Sequence, residues 1–167
     1  KAFVELGGTI ATRLAYTGGN LAISAQLQSI KNSGAQVVFL PGYYSDVGTI
    51  IRKAREAGIT LPFLGGDGWD SAELPKIAGD AINGNYYSNH YAATEDRPEV
   101  KNFVAKYKAA YGEVPDGLAA LGYDAAMVLF DAMGRAKSLG GADLRDAIAA
   151  TRDFTGVSGT FSIDENR

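Results

Sequence analysis

The residues best suited to chemistry lie in one short stretch of the sequence, FLGGDGWDS at residues 63 to 71. Its first acid, Asp67, stands between Gly66 and Gly68, and the only tryptophan, Trp69, follows two places later. Glycines let a ligand approach the backbone closely, and a neighbouring ring excludes water and so strengthens an ion pair. A carboxylate in this setting suits a cation, and the ammonium group of a ligand is the simplest candidate.

A second loop, PGYYSD at residues 41 to 46, carries two adjacent tyrosines. Each of the two loops follows a short apolar run that predicts a buried strand. In an open parallel sheet the loops after neighbouring strands lie side by side at the carboxyl edge, where ligands bind. We therefore expect four side chains to line one edge of a ligand site: Tyr43, Tyr44, Asp67 and Trp69.

Each of these residues also has a structural interpretation, and the sequence leaves both open. Asp67 could satisfy the amide groups of a tight turn, and the aromatic rings could form a partly buried rim. Two further acids, Asp46 and Asp70, stand just before predicted helices. Together with Ser45 and Ser71 they are expected to act as N-caps and not to contact a ligand.

The composition excludes several classes of chemistry. The 167 residues contain no cysteine, which rules out thiolate nucleophiles, disulfides and zinc–thiolate sites. Sixteen basic residues against nineteen acidic ones give a net charge of -3, and no basic run predicts a nucleic-acid partner. The only histidine, His90, has no serine in a nucleophile-elbow context, and no metal-ligand cluster or dinucleotide fingerprint is visible. We therefore expect no catalytic residue, metal or cofactor.

Length and hydropathy make the chain globular. With 46% hydrophobic residues it can bury a core, and its length alone suggests one domain. No apolar run approaches the roughly 20 residues of a membrane span, so direct membrane insertion is not expected. No signal peptide is visible, and the opening KAFVELGG has the pattern of a helix end, so we expect upstream residues to be missing.

The first half of the chain predicts alternating strands and helices. Strands are predicted at residues 9 to 16, 37 to 40, 61 to 65 and 84 to 91. Helices are predicted over residues 21 to 33 with Asn20 as cap, over a stripe from Val47 to Ala54 closed by Gly58, and over residues 72 to 79. This β-α-β-α-β order implies right-handed crossovers and an α/β fold, a parallel sheet flanked by helices.

The second half predicts three helices and little strand. Asp96 is the expected cap and Pro98 the first-turn residue of a helix with the apolar stripe Val100, Phe103, Val104, Tyr107 and Tyr111. A second stripe consists of Leu118, Leu121, Ala125, Val128, Leu129 and Ala132, and a third helix spans residues 142 to 150. Only VSGTFSID, residues 157 to 164, reads as a strand. We expect these helices to cover a sheet that this chain does not contain.

Five segments together resemble a known family: VVFLPGYYSDVGTIIRKAREAGI, FLGGDGWDS, GNYYSNHY, KYKAAYGEVPDGLAALGYDAA and FTGVSGTFSIDENR. They are similar, in order and spacing, to the branched-chain amino-acid binding proteins of ABC importers, which have the type I periplasmic binding fold. The resemblance implies a two-lobed, non-enzymatic receptor, periplasmic or extracytoplasmic, that closes on an amino acid and presents it to the membrane permease. Residues 1–90 would be most of the second lobe, 91–97 an inter-lobe crossover, and 98–167 a helix-rich first-lobe portion with a terminal strand.

The same resemblance assigns roles to particular positions. In the family a tyrosine after one strand and an acid after the next hold the amino-acid head group, and these positions match Tyr43 and Asp67. Family members often carry glutamate where this chain has Asp67. Leu118 stands near the place where an aromatic residue often borders the side-chain pocket. The first-lobe groups that hold the ligand carboxylate in the family have no counterpart in this chain.

Two other functions stay open. The same fold could serve as the ligand-sensing domain of a signalling receptor, which flanking domains or a neighbouring permease gene would distinguish from a transport role. An enzyme of flavodoxin-like or hydrolase type would be indicated by turnover of an amide or ester that His90→Ala abolishes.

Overall fold

The computed structural model describes residues 1 to 166 and divides the chain into two compact units, Lys1–Ser88 and a second that begins at Asn89. Each unit has its own cluster of buried apolar side chains. The expectation of one domain from length alone is therefore wrong, because the apolar residues form two separate cores. The assignment of ranges to lobes stays a prediction, and Arg167, the end of its last range, lies outside the described residues.

The first unit contains a three-stranded sheet, β1 (Val38–Phe39), β2 (Phe63–Gly65) and β3 (Tyr86–Tyr87). The strands are parallel and stand in the order β1-β2-β3. Two helices connect them, α3 (Tyr44–Glu56) between β1 and β2, and α4 (Glu73–Ala78), followed by a 3₁₀ turn at Gly79–Ile82, between β2 and β3. The predicted parallel α/β arrangement is confirmed.

Helix α3 follows directly from its apolar periodicity. Val47, Ile50, Ile51 and Ala54 recur at helical spacing, and all four are buried against a core that includes Phe63. Burial of each large aliphatic side chain contributes roughly 1.5–3 kcal/mol relative to exposure. The chain leaves the helix at Gly58, whose φ of +81° is a left-handed conformation that glycine adopts without strain. This helix and its end are as predicted.

The segment before β1 differs from the prediction. Residues 9 to 16 are not a strand, although their alternation predicted one, because a strand requires a hydrogen-bonded neighbour and this segment joins neither described sheet. Ile10 and Leu14 are exposed in consequence. Two short helices flank the segment, α1 (Ala2–Glu5) and α2 (Ser24–Asn32).

The start of α2 also differs from the prediction. Its N-cap is Ile23 and not Asn20, which was predicted to cap it. The Asn20 side chain instead accepts a hydrogen bond from the amide of Ala22 at 3.3 Å, and so stabilises the turn before the helix.

The second unit consists of α5 (Pro98–Tyr111), α6 (Gly117–Arg135), α7 (Gly141–Ala149) and a hairpin of β4 (Phe154–Thr155) and β5 (Thr160–Phe161). Pro98 is in the first turn of α5, as predicted, but the N-cap is Arg97. Asp96 forms an ion pair with Lys101 instead of capping. In the predicted strand VSGTFSID, the first three residues, VSG, instead belong to the turn between β4 and β5. Gly159 has a φ of +136° there, which is outside the conformations of a strand.

Helix α6 is more apolar at its surface than its predicted stripe implies. Val128 and Ala132 are buried, but Leu118, Leu121 and Leu129 are more than a third exposed. The helix has 19 residues and a mean hydropathy of 1.2, so by length and composition it could span a membrane, contrary to the sequence expectation. A core helix of a globular protein has the same composition, so this property does not by itself indicate insertion.

A buried carboxylate of α6 binds the hairpin turn through hydrogen bonds. Asp124, which is 3% exposed, accepts hydrogen bonds from the amides of Val157 and Ser158 at 2.7 and 2.8 Å, and from the Ser158 hydroxyl at 2.6 Å. The guanidinium of Arg97 donates to the carbonyls of Gly156 and Val157 on the same turn. Donors and acceptors of the turn are thus satisfied by opposite charges from two helices.

Candidate ligand-binding site

The loops after β1 and β2 leave the sheet at the same edge and touch. A Cβ atom added at Gly68 would lie 2.7 Å from the carbonyl oxygen of Gly42 and 3.3 Å from the ring of Tyr43. Only a residue without a side chain allows the two backbones to come this close. The predicted adjacency of the loops at residues 41–46 and 66–71 is therefore confirmed, because β1 and β2 are parallel neighbours.

The two tyrosines of the first loop have different surroundings. Tyr43 is 66% exposed and its extended backbone forms the N-cap of α3, so that its carbonyl accepts from the amide of Val47 at 3.0 Å. Tyr44 begins the helix and is half-buried against the core of the first unit. The structure therefore leaves the Tyr43 side chain accessible to a ligand and gives much of the Tyr44 ring a packing role.

Asp67 is exposed and begins a 3₁₀ turn, Asp67–Trp69. The amides of Trp69 and Asp70 bond to the main-chain carbonyls of Gly66 and Asp67, at 3.1 and 2.9 Å. The turn is thus closed at these amides by backbone, without the carboxylate. A Cβ at Gly66 would meet nothing within 4 Å, so the backbone beside the acid is open on that side. This is the approach that the sequence predicted for a ligand.

Trp69 lies beneath the loops and not at the rim where it was expected. It is 1% exposed, and its indole Nε1 donates to the carbonyl of Leu40 at 3.1 Å. The ring rests on the backbone of Gly65, where a Cβ would lie 2.0 Å from its Cε2 atom. A side chain this enclosed supports the site from within and has no face to offer a ligand.

The two acids predicted as N-caps have other partners. Asp46 lies inside the first turn of α3, which starts earlier than its apolar stripe, and accepts from the amide of Gly19 at 3.3 Å. Asp70 accepts a hydrogen bond from the hydroxyl of Tyr87 at 3.0 Å. Both cap predictions are therefore wrong, and so is that for Ser45, which lies inside α3. Ser71 precedes the N-cap of α4, Ala72, although its hydroxyl does accept from the amide of Glu73 at 3.2 Å.

Tyr87 is a residue of this edge that the sequence reasoning missed. It pairs with Gly65 in the β2–β3 register, and its ring centroid lies 6.2 Å from that of Trp69. Burial, and then the charge and hydrogen bond of Asp70, raise the pKa of Tyr87 to about 12. The alternation of residues along β3 is the sequence feature that could have identified Tyr87, because alternate residues of a strand face the same side of the sheet.

Two other residues singled out from the sequence belong to the second unit. Leu118 is the second residue of α6 and is 39% exposed. The N-cap of this helix is Asp116, whose carboxylate accepts from the amide of Ala119. His90 is exposed, and its amide donates to the side chain of Asn89 at 2.9 Å. Within residues 1 to 166 no group of three His, Asp or Glu side chains is arranged to hold a metal ion.

Comparison with known proteins identifies close similarities over nearly the whole chain. A family model described as periplasmic binding protein matches residues 1–167. The leucine-, isoleucine-, valine-, threonine- and alanine-binding protein of Pseudomonas aeruginosa is 27% identical over 166 residues, which are 99% of this chain and 44% of that protein. The chain thus spans less than half of this relative.

Two crystal structures are similar in both sequence and fold. The leucine-binding protein LivK from Thermotoga maritima has a TM-score of 0.89 and 41% identity, over 98% of this chain and 47% of that one. The branched-chain amino-acid transporter substrate-binding protein LivJ from Streptococcus pneumoniae, in complex with isoleucine, has a TM-score of 0.79 and 32% identity, over 90% of this chain and 43% of that one.

Proposed function

Because this chain belongs to the periplasmic binding protein family, we propose that it is part of an extracytoplasmic receptor that captures an amino acid and delivers it to an ABC importer. The proposal draws on relatives named for binding leucine, isoleucine and valine, and on a LivJ structure that holds isoleucine. A branched-chain amino acid or a close analogue is the proposed ligand. The permease subunits of the importer are the proposed partners, and the receptor is a carrier without catalytic activity.

The observation that carries the proposal is the position of Tyr43 and Asp67 on two loops in direct contact at the carboxyl edge of a parallel sheet. A carboxylate and a phenol hydroxyl together suit an ammonium group, which donates three hydrogen bonds and carries the opposite charge to the acid. Open space beside Gly66 supports an approach along the backbone. In this proposal Asp67 binds the ammonium directly and Tyr43 accepts a second hydrogen bond from it.

The rest of the ligand is held by parts of the protein beyond these two loops. We assign residues 1–90 to most of one lobe, 91–97 to the crossover and 98–167 to the helix-rich part of the other lobe. In this proposal the ligand carboxylate binds to groups outside this chain. A ligand enclosed by two lobes loses most of its contact with water, which a single lobe cannot achieve.

Exposed apolar surfaces in each unit support the proposal that these residues are part of a longer protein. Phe39, Leu64 and Tyr86 stand opposite one another on one face of the sheet and are 69%, 37% and 67% exposed. On α6, Leu121 and Leu129, which share one face of the helix, are both 38% exposed. Parallel sheets are ordinarily covered on both faces, and an apolar helix face is ordinarily packed. Further chain is the proposed cover for both surfaces.

Titration calorimetry on a full-length protein that contains these residues tests the proposal. We expect isoleucine, leucine or valine to bind, and the deaminated analogue of the best ligand to bind at least about a hundredfold more weakly because it lacks the ammonium group. The analogue keeps the apolar side chain and the carboxylate and is therefore a matched control. Failure of every amino acid to bind, or equal binding of the deaminated analogue, would refute the proposal.

A further inference from the structure

We propose that Trp69 is a positioning residue for this site: it joins the loop after β1 to the turn after β2 and so fixes Tyr43 relative to Asp67. Its consequence for affinity rests on the proposed function above, whereas its consequence for the loops does not. The residue is the only tryptophan of the chain and has no accessible surface for a ligand. Its role is therefore exerted through the residues that it holds.

The first supporting contact is a hydrogen bond between residues 29 positions apart. The amide of Leu40 donates to the carbonyl of Leu64 at 2.8 Å, which continues the pairing of β1 with β2. The carbonyl of the same Leu40 then accepts from the indole of Trp69. The indole N–H thus extends the connection between the two strands beyond their ends, to the point where both loops begin.

The second supporting observation is the fit of the ring onto glycine. A Cβ at Gly65 would lie 2.0 Å from Cε2 and 2.4 Å from Nε1 of Trp69, so the indole lies directly on the last residue of β2. Three residues later, Gly68 lies against the carbonyl of Gly42. Contacts of this kind involve main-chain atoms, which cannot move aside as the end of a flexible side chain can.

The third contact comes from β3. The ring of Tyr87 lies beside that of Trp69, and its hydroxyl donates to Asp70, the residue that ends the 3₁₀ turn. The turn is consequently tied to all three strands of the sheet: to β1 through Leu40, to β2 through Gly65 and to β3 through Tyr87.

These ties determine the positions of the two proposed ligand contacts. Asp67 is two residues before Trp69 in the same turn, and Tyr43 is three residues after Leu40. Segments this short transmit the position of one residue to the next with little freedom. A site whose contacts are fixed before binding avoids the entropy of ordering them afterwards, which increases affinity.

Hydrogen exchange on the 167-residue chain tests the loop-joining directly. Trp69→Phe keeps a large ring but removes the N–H, which leaves the Leu40 carbonyl without this donor. We expect amide exchange to rise about tenfold or more at residues 42–46, which are the end of the first loop and the first turn of α3, and at residues 66–70. Ile51→Val, a core change in the middle of α3 that keeps every hydrogen bond of Trp69, is the matched control and should leave exchange at these residues unchanged. Equal exchange of the loops in both variants would overturn the proposal.

Affinity measurements on the full-length protein test the link to the ligand. With isoleucine as the probe, Trp69→Phe should weaken binding about tenfold, and this loss should shrink when Asp67→Asn is already present, because the carboxylate to be positioned is then gone. A merely structural tryptophan would give the same loss in both backgrounds, which would overturn the positioning role, as would unchanged affinity. If the wild-type protein binds no amino acid, the proposed function fails, and the exchange experiment still decides whether Trp69 joins the loops.

Discussion

The hydroxyl of Tyr87 donates a hydrogen bond to the carboxylate of Asp70 at 3.0 Å, which ties the last strand of the sheet to the turn that carries Asp67. Ionisation of the phenol would remove this donor and place two negative charges next to each other. Burial of the ring and the neighbouring acid therefore both favour the protonated phenol, and the pKa of Tyr87 is raised to about 12.

This shift predicts a loss of stability at alkaline pH. The pKa of the folded state lies above the ordinary 10.0, so the contribution is complete below pH 10 and is lost as the pH rises toward about 12. Urea unfolding across that window should show the stability advantage of wild type over Tyr87→Phe declining. An advantage that is constant, or that grows with pH, would contradict the assignment. Since the side chain is 43% exposed, solvent screening keeps the effect small.

The substitution Asp67→Asn tests whether Asp67 contacts the ligand or stabilises the turn. The substitution keeps size and removes charge, so binding of the amino acid by the full-length protein should weaken by roughly 2–4 kcal/mol with little change in Tm. The control is Asp80→Asn, an exposed acid outside both loops, which should leave affinity and Tm unchanged. If Asp67→Asn lowers Tm and spares affinity, the carboxylate serves the turn.

Gly66 and Gly68 offer a matched pair of alanine substitutions. Gly68→Ala places a Cβ 2.7 Å from a main-chain oxygen and should destabilise the chain by about 1–3 kcal/mol, measured by urea unfolding. Gly66→Ala meets no atom within 4 Å and has a φ of -109°, so it should be close to neutral for stability. If the ligand approaches along this backbone, Gly66→Ala should nonetheless weaken binding. Equal stability of the two variants would contradict the close contact of the loops.

Asp124→Ala should be among the most destabilising changes in the second unit. It leaves the buried amide of Val157 and the partly buried amide and hydroxyl of Ser158 without their acceptor, at a cost of about 3 kcal/mol or more. Asp131→Ala on the same helix removes a partly exposed ion pair with Arg135 and should cost less than about 1 kcal/mol. Denaturant unfolding monitored by circular dichroism compares them, and a similar cost for both would mean that Asp124 does not secure the hairpin.

The 167-residue chain alone should bind the proposed amino-acid ligand far more weakly than the full-length protein. It supplies the proposed ammonium contacts, but a one-sided site neither encloses the ligand nor pairs with its carboxylate. Calorimetry with the same ligand on both proteins measures the difference. Equal affinities would show that the residues of this chain form the complete site.

The local order of the sequence determined the α/β fold and the adjacency of the two loops in which we propose the site. The stripe from Val47 to Ala54 specifies a helix by its spacing, and the apolar runs around Phe39 and Leu64 specify strands, so the loops after them had to meet at one edge of a parallel sheet. The expected burial of these strands was wrong for one face of the sheet, because Phe39 and Leu64 are 69% and 37% exposed. Periodicity is sufficient for the helix because it records which face of α3 is buried, whatever the partner.

Only the tertiary structure decided which side chains support the site and which remain accessible at it. Trp69 and Tyr43 are both aromatic residues in the same pair of loops, yet one is enclosed and the other is exposed, because the indole N–H reaches a carbonyl 29 positions away. Asp70 likewise bonds to Tyr87 and not to the helix beside it. Hydrogen-bond partners distant in sequence depend on how strands pack, and no local pattern of residue types encodes that distance.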